Sequence, residues 1–146
     1  MTTSLCSERA AVLGRIDPDA IAAGTVLSEA VDMSLWGRLM VIVQSGDLGA
    51  SATLNAKLTE SDASGGTYTD IAGKAITQLT QAGSGSDKVA IIELRNDELG
   101  EDKRYVKLSM TVGTATSEAS AVILGFDPRY EPAHANDIAA VAQIVN

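Results

Sequence analysis

His134 is the only histidine and Cys6 the only cysteine in a chain of 146 residues. A serine-hydrolase triad or an imidazole-held zinc would have to run through His134. That residue stands in Pro-Ala-His-Ala-Asn, beyond the last apolar run, where nothing rigid is expected to hold it. A solvent-facing histidine is the simpler expectation. One thiol can form neither an intrachain disulfide nor a thiolate cluster, so no transition-metal centre is expected. Carboxylates are plentiful, and two would suffice for glycoside hydrolysis. Asp62, Asp70, Asp97, Glu98, Glu101 and Asp102, however, fall mostly in stretches that read as solvated loops. Asn96–Asp102 offers oxygen ligands for calcium without the alternating spacing and late Glu of the helix–loop–helix site. Gly83-Ser-Gly-Ser lacks the Lys-Ser/Thr that follows in a phosphate loop. No catalytic apparatus and no cofactor site emerges, and the chain reads as a structural or binding protein.

Composition narrows the partners. The formal net charge is −8, with acids spread along the chain. Its one tight basic group, Lys103, Arg104 and Lys107, lies beside Glu101 and Asp102. Nucleic acids call for a basic face that displaces counterions, so no nucleic-acid partner is expected. No apolar run approaches the roughly 20 residues of a membrane span. Glu8 and Arg9 interrupt the N-terminus before a secretion signal could develop, which points to synthesis in a reducing cytoplasm. Hydrophobic residues make up 45% of the chain, enough for a core, but only five residues are aromatic. Small side chains bury little area each, and association is one way to add more.

The elements that would have to position any site are strands. Leu54, Ala56 and Leu58 alternate with polar neighbours, as do Val106, Leu108, Met110 and Val112. This is the period of a half-buried strand. Arg38–Val43 is nearly all apolar and reads as a strand buried on both faces, or nearly so. Ala119–Leu124 pairs with Val106–Val112 as a hairpin across Gly113. Turn clusters at Gly46–Gly49, Ser61–Gly66 and Gly83–Asp87 punctuate the runs. Seven or eight short strands with short connections predict an all-β, antiparallel, jelly-roll-like β-sandwich. Leu54, Leu58, Val106, Leu108, Met110 and Ile123 are its predicted core.

The ends differ from the middle. Residues 1–23 show no clear period and read as an extended N-terminal arm, with a short helix through Glu8–Leu13 as an option. Residues 24–125 are the sandwich. Residues 126–146 form an irregular C-terminal tail, with a short helix capped by Asn136 or Asp137. Both ends carry apolar groups that solvent would not favour, so Leu5, Leu13, Ile16, Phe126, Arg129 and Tyr130 are candidate interface residues. Trp36 reads equally as a core lid or as an interface anchor.

An ordered set of segments resembles the head decoration, or cement, proteins of tailed bacteriophages. It comprises Gly24-Thr-Val-Leu-Ser-Glu-Ala-Val-Asp32, Gly46-Asp-Leu-Gly-Ala50, Lys57-Leu-Thr-Glu-Ser-Asp62, Thr67-Tyr-Thr-Asp-Ile71, Lys103-Arg-Tyr-Val106 and Gly125-Phe-Asp-Pro-Arg-Tyr-Glu-Pro-Ala133. Tyr68 stands where that family often has Trp. The likeness covers roughly residues 24–133 and contains no chemical motif. It implies a jelly-roll-like virion protein on the capsid exterior, made in the host bacterial cytoplasm. It further implies a homo-oligomer, with a trimer favoured, that clamps neighbouring copies of the major capsid protein. A phage tail or head–tail adaptor component, and a carbohydrate-binding β-sandwich module, are the alternatives.

Overall fold

The computed structural model describes residues 3–146. After a one-turn helix α1 (Cys6–Arg9), the chain runs through β1 (Ala10–Ile21), β2 (Gly24–Leu27), β3 (Val31–Asp32) and β4 (Trp36–Ser45). It continues as β5 (Thr53–Ser61), β6 (Thr69–Ala75), β7 (Leu79–Thr80), β8 (Val89–Arg95), β9 (Tyr105–Gly113) and β10 (Ser117–Pro128). Short 3₁₀ turns occupy Met33–Leu35, Asn96–Glu98 and Ala133–Asn136.

The strands form two antiparallel sheets. One has four strands in the order β1-β10-β4-β8; the other is built on β2-β9-β5-β6, with β3 added to β9 and β7 to β5. The chain crosses between sheets at most steps, and β5–β6 is the main hairpin that stays within one. Two four-strand Greek keys wound in this way make a jelly roll. The expected fold class is therefore observed.

Alternation built the core as expected. Leu54, Leu58, Val106, Leu108, Met110 and Ile123 are all fully buried between the sheets. Leu39, Val41, Val43 and Leu94 enter from the four-stranded side. At Gly125 the sheet needs a residue with no side chain. A Cβ there would collide with Leu13 and lie 2.7 Å from the Trp36 ring.

Three sequence expectations need correction. Residues 10–21 are not an arm: they form β1, antiparallel to β10 from Ala10↔Phe126 to Ile21↔Ser117. Register shifts at Val12/Gly14 and Ile16/Asp19 erase the period-2 signal that would have shown a strand. Ala119–Leu124 does not pair with β9; it pairs with β1 and β4 in the opposite sheet. The tail forms no helix at Asn136–Val145. Asp137 Oδ1 accepts the Val12 N–H at 2.7 Å, and the Ile138 N–H donates to the Val12 carbonyl at 2.9 Å. The would-be cap thus closes the outer edge of β1.

Candidate interaction surface

The four-stranded sheet has an outward face as well as a core face, and its outward side is unusually apolar. Register fixes the rows that cross it. Val122 of β10 stands beside Arg15 of β1 and Ile42 of β4, and Ile42 beside Ile91 of β8. In the next row Val12, Leu124, Met40 and Glu93 are neighbours. Beyond it come Ala10, Phe126, Arg38 and Arg95, and at the other end Ser120, Gln44 and Val89. Val89 and Ile91 are 58% and 57% exposed and Val122 is 38% exposed. Met40, Ile42, Leu124 and Phe126 are half-buried. Full burial of such a side chain stabilises by about 1.5–3 kcal/mol, so several together can support a specific contact.

The charges around this face are mostly neutralised within the chain. Arg15 bonds Asp17 at 2.8 Å and Glu29 at 2.5 Å. Arg38 grips Asp127 with both Nε and Nη2. That fork holds the Asp127 carboxyl below its ordinary pKa and raises the Arg38 guanidinium. Arg95 lies 3.4 Å from Asp97. Glu98 takes the Arg95 N–H and pairs with Lys74 at 3.0 Å, which lowers its pKa. Glu93 forms no ion pair among the described residues. A chain of net charge −8 therefore presents a nearly neutral apolar patch. A hollow of about 480 Å³ opens where Met40 and Phe126 meet Arg38, Glu93, Arg95 and Lys74.

The candidate interface residues divide sharply. Leu13, Ile16 and Trp36 are 8%, 7% and 3% exposed and lie inside the sandwich, so they cannot be interface anchors. Trp36 is the core lid of its two readings. Leu5 and Tyr130 are 45% and 65% exposed, Arg129 is exposed and stacks near Tyr130, and Phe126 is half-buried on the outward face. The structure brings the two chain ends together: α1 packs on β10 and on the 133–136 turn at the Phe126 end of the sheet. Sequence reasoning missed Met40, Ile42, Val89, Ile91, Val122 and Leu124. Their signal was present, as apolar residues on the polar phase of strands whose other phase fills the core.

No group of three or more His, Cys, Asp or Glu is placed to hold a metal ion among the described residues. His134 is exposed in its short turn, and no helix is long and apolar enough to cross a membrane. At Asn96–Asp102, Glu98 is committed to Lys74 and the Arg95 N–H, and the Gly100 N–H donates to Glu60.

No family model matches the chain, and no curated protein matches it in sequence. Among solved structures it is similar to infectious bursal disease virus, Gt strain, at 12% identity and a TM-score of 0.45. It is similar also to the Gx strain structure, at 11% identity and a TM-score of 0.43. Each likeness covers 86% of this chain and 34% of the other, so the chain spans about a third of those proteins. At that distance nothing about activity or partners passes from them to this chain.

Proposed function

We propose that this chain is a non-enzymatic virion structural protein that decorates the exterior of a tailed-phage capsid. In this reading it clamps neighbouring capsid subunits through the outward face of its four-stranded sheet and the adjoining chain ends. The observation that carries the reading is the neutral apolar face on an otherwise acidic jelly roll. A strand face built of Met40, Ile42, Ile91, Val122 and Leu124 is costly to leave in water and suited to lie on a protein surface. The ordered resemblance over residues 24–133 supplies the partner class, the shell. A rigid sandwich needs no chemistry for this role. Many modest contacts repeated around a lattice resist the pressure of a packed genome by multivalency.

The test is cryo-electron microscopy of virions in which mass spectrometry finds the chain. The expected result is sandwich density outside the shell, with β10, β4 and the 126–130 segment toward the capsid. Density confined to the tail or the head–tail junction would replace this reading with the adaptor alternative.

A further inference from the structure

The four outer edges of the two sheets are not treated alike. The β1 edge carries two register shifts and is closed by Asp137 and Ile138. β2 is only four residues long. β6 is broken by a bulge between the pairs Lys57↔Ala75 and Thr59↔Asp70, with Gly73 at φ +77°. These are the ordinary devices that keep a sheet edge from pairing with another chain. β8 has none of them. Its register with β4 runs unbroken from Arg38↔Arg95 to Gln44↔Val89, it contains no proline, and no strand pairs with its other side among the described residues. It also displays Val89 and Ile91 to solvent.

We propose that β8 is the self-association edge of this protein, pairing antiparallel with β8 of a second copy about a two-fold axis at Ile91. The backbone phase supports this centre. The Ser45 N–H donates to the Lys88 carbonyl, so the pair Ser45/Lys88 bonds directly, and alternation then turns Ala90, Ile92 and Leu94 toward β4. The N–H and C=O groups of Val89, Ile91 and Glu93 are left facing outward. A two-fold axis at Ile91 sets Ile91 opposite itself and Val89 opposite Glu93, using all three free residues of each copy. The row Val122–Ile42–Ile91 then continues unbroken into Ile91–Ile42–Val122 of the second copy.

Charge and space agree. The two Glu93 carboxylates never meet in this register, and exposed Asp87 falls opposite exposed Arg95 of the other copy at each end. Beyond Glu93, Lys74 is held by Glu98 and lines the hollow beside Leu94 and Arg95, and the pairing uses the five residues Val89 to Glu93. A hollow of about 420 Å³ separates Gly73–Ile76 from Ile91–Glu93 along this edge.

The experiment uses the full chain and does not depend on the capsid reading. Analytical ultracentrifugation over a concentration series should show a monomer–dimer equilibrium. Ile91→Pro removes an N–H that the sheet does not use, so the variant should keep the native circular dichroism and weaken dimerisation at least tenfold. In a Cys6→Ser background, Ile91→Cys should oxidise to a covalent dimer, because directly bonded antiparallel partners have Cα atoms about 5.5 Å apart, within disulfide reach. Val122→Cys, two strands in from the edge, should not. A native chain that stays monomeric at several hundred micromolar overturns the proposal. So does a dimer untouched by folded Ile91→Pro, or a closed trimer.

Discussion

The two outward faces of this sandwich share one core and have opposite chemistry. Opposite the apolar face, the six-stranded sheet turns Thr25, Asn55, Lys57, Lys107 and Thr111 outward, with exposed Leu27 as an edge exception. Its groups satisfy one another. The Thr25 and Thr111 hydroxyls are 2.8 Å apart, Lys57 pairs with Asp70 at 2.8 Å, and Lys107 sits 4.7 Å from the centre of the Tyr68 ring. Apolar-in, polar-out alternation is what an antiparallel sheet facing water requires. The six-stranded sheet obeys it and the four-stranded sheet does not. That departure is the observation on which the proposed shell-facing role rests.

The largest expected effect comes from charging the apolar face. Ile42→Asp with Val122→Asp should weaken shell binding by roughly a hundredfold, about 3 kcal/mol, while circular dichroism stays native. The counterpart on the polar face, Asn55→Asp with Thr111→Asp, should change binding less than about threefold, as expected for residues outside a contact. Equal losses from both pairs, measured by occupancy on capsids lacking the protein, would erase the distinction drawn between the faces.

A smaller effect tests how the apolar sheet is kept intact at its other edge. Asp137→Ala leaves the Val12 N–H without its acceptor and should cost about 1–2 kcal/mol in urea unfolding. Native-state hydrogen exchange should show faster exchange at Val12 while the β9 amides keep their protection. No change at Val12 would mean the tail does not close that edge.

pH should act on the polar sheet's side. At its end, Arg104 forks onto Asp32 at 2.8 and 2.7 Å and lowers the Asp32 pKa to about 2. A depressed carboxylate stabilises the fold above its unfolded pKa of 3.8, and that stability is lost as pH falls through about 2. Asp32→Asn should therefore cost about 1 kcal/mol at neutral pH, discounted for the partly exposed pair. Its melting temperature should converge with that of the native chain near pH 2. A constant gap from pH 7 to pH 2 would mean that the pair's charge is not what Asp32 contributes.

The smallest effect is Lys107→Ala, which removes a half-buried lysine whose ammonium lies over the Tyr68 ring. About 0.5–1 kcal/mol is expected from thermal melts, with shell binding unchanged.

Much of this was legible in the sequence and some was not. The alternation at Leu54–Leu58 and Val106–Val112 determined two strands and their buried faces, because period 2 directly encodes one wet side and one dry side. The turn clusters fixed an antiparallel all-β chain. Gly125 could be read as a chain punctuator, but its reason, the closeness of Leu13 and Trp36, exists only once β1 and β4 flank β10. The N-terminal strand was hidden because its bulges and Asp17-Pro18-Asp19 break the period, and partners about 100 residues away in sequence, from Phe126 to Ser117, define its register. The apolar run Arg38–Val43 gives the same pattern whether its second face is covered by protein or open to solvent. Sequence determined that both faces are apolar. Only the tertiary structure decided that Leu39, Val41 and Val43 face the core while Met40 and Ile42 face outward, since that depends on which elements the fold lays over the sheet.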